Sequence, residues 1–186
     1  IVAESQRLER LVADLLDLAK LDARQFGFRP VVTQLSPVVA AAVAAIGPEA
    51  DAAGLTLQVA PGPDTPVHVD PDRVAQAIGN LTANGLRFAR RTVWIRTRGA
   101  AGPDGRDGVA IDVADDGPGI AADDLPHVFE RLYQARNQPQ ARESGTGLGL
   151  AIVKELAEGM GGTVDVASVV GTGTTFTLWF PAASHT

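Results

Sequence analysis

The chain has no cysteine, so it carries neither a disulfide framework nor a thiolate metal site. Basic charge is scarce, with 16 Lys and Arg against 22 Asp and Glu and a formal net charge of −6. A nucleic-acid partner is excluded on that ground, because displacing phosphate counterions takes clustered cations. No apolar run reaches the roughly 18 residues that would span a bilayer, and no signal peptide is visible. There is no internal repeat and no low-complexity tail. Two familiar glycine loops are missing as well. Gly145-Thr146-Gly147-Leu148-Gly149-Leu150 lacks the closing Lys-Ser or Lys-Thr of a P-loop. Its GxGxG spacing, after a polar segment where a strand would be needed, does not fit a dinucleotide fingerprint either, even though Asp165 lies 20 residues on. No Gly-x-Ser-x-Gly elbow exists for acyl transfer. The histidines, His68, His127 and His185, are not expected to be catalytic, and no spaced His and carboxylate cluster supports zinc. The chain opens on Ile1 and its one methionine is Met160, so a piece of a longer protein is expected, with a membrane anchor left open elsewhere.

A length of 186 residues allows one well-buried core and a short appendage. The appendage is a helix to about Arg24, with Leu8, Leu11, Leu15 and Leu18 on one stripe and Val12, Leu16 and Ala19 widening it. Such a seam also suits ordinary core packing, but its place ahead of an extended segment favours a helical-bundle contact, most simply a homodimer. An extended segment from Phe26 to Thr33 follows. A second helix is expected from Ser36 as N-cap and Pro37 in the first turn to about Ala52, ending near Gly54. A third begins at Asp70-Pro71 and reaches about Arg90, and a short one lies near Asp123 to Leu132. The last helix runs from about Gly147 to Met160. Strands are expected at Leu55 to Val59, Val67 to Val69, Thr92 to Thr97, Val109 to Val113, Thr163 to Val169 and Thr174 to Phe180, with AGPDGRDG as a hairpin turn. Gln134 to Ser144 reads as a mobile loop. Helices interleaved with hairpins predict a mixed sheet in a two-layer α/β sandwich.

Asn80 and Asn84 are four residues apart and share a helical face. A neutral amide oxygen beside a triphosphate suits Mg²⁺, which keeps waters and shares phosphate oxygens. Taken alone, the pair also reads as surface asparagines. Asp115-Asp116-Gly117-Pro118-Gly119-Ile120 follows a strand, and its glycines let the backbone approach a flat ring. A buried carboxylate there could accept the exocyclic amino group of adenine, although the same string makes a plain turn. The GTGLGL hinge feeds a helix N-terminus, which favours phosphate, although the same string also makes a loop-to-helix junction with no ligand. Of the cations near it, Arg87, Arg131, Arg136, Arg142 and Lys154, we select Arg87, three residues after Asn84, and more weakly Arg142 from the loop.

Together these segments resemble the catalytic and ATP-binding domain of bacterial sensor histidine kinases, within the gyrase, Hsp90, histidine kinase and MutL superfamily. DPDRVAQAIGNLTANGLRFA is similar to the N box, DDGPGI to the first glycine box, HVFERLY to the F box, GTGLGLAIVKEL to the second glycine box and GTGTTFTLWFP to the last. ESQRLERLVADLLDLAKLDA resembles the second helix of a dimerization and phosphoacceptor domain. The resemblance implies a partial phosphoacceptor helix over 1–26 and a Bergerat-type ATP-binding domain over 27–186. It implies Mg-ATP as ligand, Asn84 as metal ligand with Asn80 beside it as the catalytic pair, and Arg87 and Phe88 lining the nucleotide. Asp115 would hold the adenine amino group, Gly117, Gly119 and Ile120 would shape its pocket, and Thr174 would join from the last box. Gly145, Thr146, Gly147, Leu148 and Gly149 would form the hinge of an ATP lid, with Arg142 in the lid and Phe129 anchoring its other end. Gly85 stands where Ala is usual and Arg87 where Lys is common. The phosphoacceptor His is expected on a helix upstream of residue 1, with relay to a response regulator and a cytoplasmic domain of a membrane-anchored parent. The alternative is a non-catalytic or anti-sigma-like ATP-binding module. A water-activating clamp is disfavoured, since Asn80 occupies the position of its general base and cannot take a proton.

Overall fold

The computed structural model describes residues 27–133 and 146–183, together with positions 12, 16 and 19. The leucine seam therefore lies outside the described residues, as do the expected loop at Gln134 to Ser144, Arg142 and Gly145. Val12, Leu16 and Ala19 are helical and exposed.

From residue 27 on, the described residues form, in order, β1 (Val31–Thr33), α1 (Leu35–Ala52), β2 (Thr56–Ala60), β3 (Val67–Val69), α2 (Pro71–Phe88), β4 (Thr92–Ala101), β5 (Asp107–Asp115), α3 (Gly149–Gly159), β6 (Thr163–Val169) and β7 (Gly173–Pro181). The main sheet has the order β2-β4-β5-β7-β6, and β1 pairs with β3 separately. β2 runs parallel to β4, while the remaining pairs in both sheets are antiparallel. The sheet is thus mixed, because β2 reaches β4 through a crossover containing α2, while β4–β5 and β6–β7 close as hairpins and β7 returns antiparallel beside β5.

Alternation along the strands sets the layers. Val93, Ile95, Ile111, Val113, Phe176, Leu178 and Phe180 point inward and are buried with Val74, Ile78 and Leu81 of α2 and Ile152 and Leu156 of α3. Trp94, Arg96 and Arg98 point to the other face and are exposed. On that outer face Asp112 binds Arg98 at 2.8 Å and Arg96 at 3.0 Å and accepts the Thr177 hydroxyl at 2.9 Å. Burial pushes the Asp112 carboxyl up, but these three donors outweigh it and hold it below the usual carboxylate range.

Local chemistry explains the element ends. Asp70 caps α2, accepting from the N–H groups of Asp72 at 3.1 Å and Arg73 at 3.3 Å, and Pro71 fills a first-turn position that needs no donor. Its second carboxylate oxygen accepts the N–H of Arg29 at 2.8 Å, which fixes the incoming segment. Gly54, with φ of 68°, ends the turn after α1.

Three expectations are corrected here. Ser36 is not the N-cap of α1: Gln34 occupies that position without a side-chain bond, and the Ser36 hydroxyl binds Asp64 at 3.0 Å. The helix expected near Asp123 to Leu132 is a single 3₁₀ turn, Leu125–His127, too short to sustain a longer ladder. β4 and β5 extend further toward their turn than alternation suggested, because Gly99, Ala100 and Ala101 pair with Val109, Gly108 and Asp107. Although interrupted by Ser36, Glu49 and Asp51, α1 has the length and mean composition of a membrane span. Here Leu35, Val38, Val39, Ala42 and Ala50 of α1 are buried in the domain core.

Candidate functional site

Asp115 ends β5 on the inner face of the sheet and is buried. Its carboxyl is pushed up to about 6 by burial, which the backbone N–H groups of Gly117 and Thr174 oppose and the nearby charge of Asp116 reinforces. Gly117 donates to Oδ1 at 2.8 Å. A carboxylate has about four lone-pair sites, so capacity remains for a donor from a ligand. The glycine is required by close approach: a Cβ at Gly117 would lie 2.5 Å from Asp115 Oδ1 and 2.8 Å from the Phe88 carbonyl oxygen. The turn thus lies flush against the end of α2. Gly119 has φ of 73°, and a Cβ there would come within 2.3 Å of the Val169 carbonyl oxygen, so the β6–β7 hairpin packs directly on this turn.

The Asp116 carboxylate turns the other way. Its Oδ1 accepts the backbone N–H groups of Arg90 at 2.8 Å, Arg91 at 3.0 Å and Thr92 at 3.2 Å. Burial raises its pKa, and these three bonds bring it below the usual range. Asp116 thereby clips the α2–β4 junction to the turn that carries Asp115.

Asn80, Asn84, Arg87 and Phe88 are half-buried on the second half of α2. Asn80 Nδ2 donates to the carbonyl of Gly149 at 3.5 Å, joining the asparagine face to the first residue of α3. The Arg87 guanidinium lies 4.9 Å from the centre of the Phe88 ring, within cation–π range. Gly85 is buried between them, and a Cβ there would sit 3.2 Å from a Val93 methyl and 3.9 Å from the Asp115 Cβ. The branched Val93 fills the space that an alanine would take.

The glycine hinge is set by backbone conformation. Gly147 has φ of 72°, and a Cβ would approach the Leu132 backbone to 2.9 Å. Leu132 donates its N–H to the Gly147 carbonyl at 2.8 Å. The Thr146 hydroxyl accepts from the Leu148 N–H at 3.1 Å. With Gly147 left-handed, α3 begins at Gly149, two residues later than the sequence suggested. Phe129 meets Phe176 edge-on at 6.1 Å between ring centres, which fixes the segment before Leu132 to the core.

Of the residues selected from sequence, one group converges: Asn80 with Gly149, Phe88 with Gly117 and Asp115, and Asp115 opposite Thr174 in the β5–β7 register. Ile120 is buried beside them. Arg131 lies 3.8 Å from Glu155 and Lys154 4.0 Å from Glu158, both exposed. His127 pairs with Glu130 at 2.7 Å on the surface. Sequence reasoning missed three residues. Asp116 was read only as part of its string. Leu132 carried no signal, because nothing local marks a non-glycine residue with φ of 61°. Ser168 had one available signal, as a hydroxyl at an inward position after Val164 and Val166.

Comparison with known proteins bears on the family and the fold. The chain is 34% identical over 180 residues to the sensor histidine kinase ZraS of Escherichia coli K12, covering 96% of this chain and 36% of that protein. It is 32% identical over 186 residues to the sensor-like histidine kinase SenX3 of Mycobacterium tuberculosis H37Rv, covering 98% and 44%. The chain therefore spans less than half the length of these relatives. Full-length ShkA, solved in complex with AMPPNP, superposes with a TM-score of 0.79 at 28% identity, over 98% of this chain and 38% of that one. The catalytic domain of the histidine kinase ThkA shares the fold, with a TM-score of 0.68 at 19% identity over 83% and 96%. The profile of the histidine kinase-, DNA gyrase B- and HSP90-like ATPases matches residues 69–184, more than half of the chain, and the chain belongs to that family.

Proposed function

We propose that this chain is the ATP-binding catalytic portion of a sensor histidine kinase, and that it positions Mg-ATP for transfer of the γ-phosphoryl group to a histidine on a helix outside these residues. The observation that carries the reading is the buried Asp115 carboxylate, held at the end of β5 by a backbone N–H of its own turn and pressed against α2. A buried acceptor with capacity left is suited to an adenine amino group. Residues 1–26 are then part of a dimerization and phosphoacceptor helix, and 27–186 the ATP-binding domain. A second copy of the parent, a response regulator and a membrane-anchored parent with this domain in the cytoplasm complete the proposal.

When bound, Mg-ATP supplies the phosphoryl group and the cation that balances its charge. The donor set fits Mg²⁺ carried on phosphates better than a protein-caged ion: among the described residues no three His, Cys, Asp or Glu side chains gather as a metal cluster, and Asn84 offers one neutral oxygen. Asn84 would hold the metal. Asn80, bonded to Gly149, would keep the asparagine face in register with the hinge, while Arg87 and Phe88 would line the nucleotide and the α3 N-terminus would favour its phosphates. Arg142 and Gly145 would act in the lid. Phosphoryl transfer asks for positioning and charge balance more than for acid–base chemistry, and an asparagine at position 80 supplies no base for water. Hydrolysis by the chain alone is therefore slow.

The test is calorimetric titration of ATP with and without Mg²⁺ into the chain and Asn84→Ala. The variant is expected to lose Mg-dependent affinity with its fold intact; unchanged affinity refutes the metal role. Mixing the chain and labelled ATP with a full-length parent lacking its own nucleotide site should yield an acid-labile phosphate on that parent.

A further inference from the structure

Ser168 sits on β6 with its hydroxyl at a junction of three groups. It accepts the backbone N–H of Ile120 at 2.8 Å, lies 2.8 Å from the Gly173 carbonyl oxygen and 2.9 Å from Thr174 Oγ1. A serine hydroxyl has one proton and two acceptor lone pairs. The Gly173 carbonyl can only accept, so the Ser168 proton goes there. Ile120 occupies one lone pair. Thr174 must then donate into the other, and this assignment makes all three contacts hydrogen bonds. The Thr174 proton is consumed in the process, and its oxygen presents lone pairs only.

Thr174 stands directly opposite Asp115 in the β5–β7 register, on the same buried face. Paired side chains in such a ladder lie about 5 Å apart at Cβ. Two neighbouring groups at this end of the site, a carboxylate and a hydroxyl without a spare proton, thus both accept. We infer that Ser168 is a positioning residue that fixes the Thr174 hydroxyl as an acceptor, so that this end of the pocket selects 6-amino over 6-oxo purine nucleotides. The inference rests on the nucleotide reading above. A 6-amino group donates to these oxygens, whereas a 6-oxo group turns its own lone pairs toward them and its N1–H can satisfy at most one, so a buried acceptor is left unpaired, the kind of mismatch that discriminates strongly in buried sites. Ile120 and the adjoining glycine turn are tied to the same oxygen, so the wall of the pocket and its proton pattern are set by one side chain.

The experiment compares ATP with inosine triphosphate, which carries an oxo for an amino group at position 6 and a proton on N1 where adenine has a lone pair. Dissociation constants for both are measured by calorimetry on the 186-residue chain, Ser168→Ala, Thr174→Val and the double variant. Ser168→Ala frees the Thr174 proton to turn toward the ligand, and the preference for ATP is expected to fall about tenfold. In the Thr174→Val background, the same substitution is expected to change the preference by less than about twofold. An unchanged preference in Ser168→Ala, or an equal fall with and without the Thr174 hydroxyl, overturns the proposal. If Ser168→Ala loses its far-UV circular dichroism, Ser168→Cys is read in its place, since a thiol of similar size bonds weakly. Should the unsubstituted chain bind neither nucleotide, the nucleotide reading falls and takes this proposal with it. Should Asp115→Asn abolish the preference while Ser168→Ala leaves it intact, the nucleotide reading stands and this proposal alone fails.

Discussion

The backbone N–H of Leu132 donates to the carbonyl of Gly147 at 2.8 Å, and both residues hold left-handed backbone, with φ of 61° and 72°. This bond ties Leu132 to the start of the hinge, so the local geometry depends on two residues that tolerate that conformation unequally. Gly147→Ala brings both a disfavoured φ and a Cβ 2.9 Å from Leu132 backbone atoms. A loss of about 1–3 kcal/mol in stability is expected, with weaker Mg-ATP binding. Leu132 is 69% exposed and has little burial to lose. Leu132→Gly should therefore raise the thermal midpoint, by about 0.5–1 kcal/mol equivalent, as left-handed strain is relieved. Thermal melts followed by circular dichroism check both signs, and a stabilised Gly147→Ala contradicts the account.

Asp116 joins the glycine turn after β5 to the α2–β4 junction through three backbone donors. Asp116→Ala removes the shared acceptor and should cost about 1–2 kcal/mol, the low side for charge-assisted bonds because the site is partly open to solvent. Asp116→Asn keeps a carbonyl oxygen and should recover at least half of that. Urea unfolding of the two variants measures the difference, and equal losses would remove the hydrogen-bond explanation.

Asp115 sets a pH window. Its folded pKa is raised from 3.8 to about 6, so between those values the folded state binds more protons than the unfolded one. Stability due to this group is therefore full at low pH and declines as pH rises from about 4 to about 6. On the proposed reading nucleotide binding runs the other way, because an adenine amino group held by Asp115 would need the ionised acceptor. ATP affinity should rise from pH 5 to pH 7 with a midpoint near 6, and Asp115→Asn should flatten that profile. Titrations at several pH values decide it, since a midpoint below 5 assigns the acceptor to another group.

Gly85 and Val93 share one space. Alanine at position 85 gains about 1 kcal/mol of helix propensity, yet its Cβ would press two Val93 methyls at 3.2 and 3.3 Å. Gly85→Ala should be near neutral in the native background and stabilising by about 1 kcal/mol more when Val93 is already Ala. A double-mutant cycle in urea tests the coupling, and strict additivity denies the contact.

The motifs that make the site were legible because their geometry is local. A four-residue spacing puts Asn80 and Asn84 on one face of any helix, Asp70-Pro71 starts that helix wherever it packs, and alternation marks the strands that bury Phe176 and Leu178. Where several local options were close in energy, sequence pattern misplaced the ends: Ser36 was taken for a cap although Asp64 claims its hydroxyl from 28 residues away.

Composition and periodicity alone determined a mixed α/β sandwich, and the ordered motifs determined which family it resembles. Tertiary structure decided what each polar group has left to offer. The raised carboxyl of Asp115 comes from the layers that bury it, the acceptor state of Thr174 from a serine on a neighbouring strand, and the left-handed Leu132 from its bond to Gly147. Each depends on partners distant in the chain, and the free energy of a buried hydrogen bond or charge is fixed by those partners and not by the residues beside it in sequence.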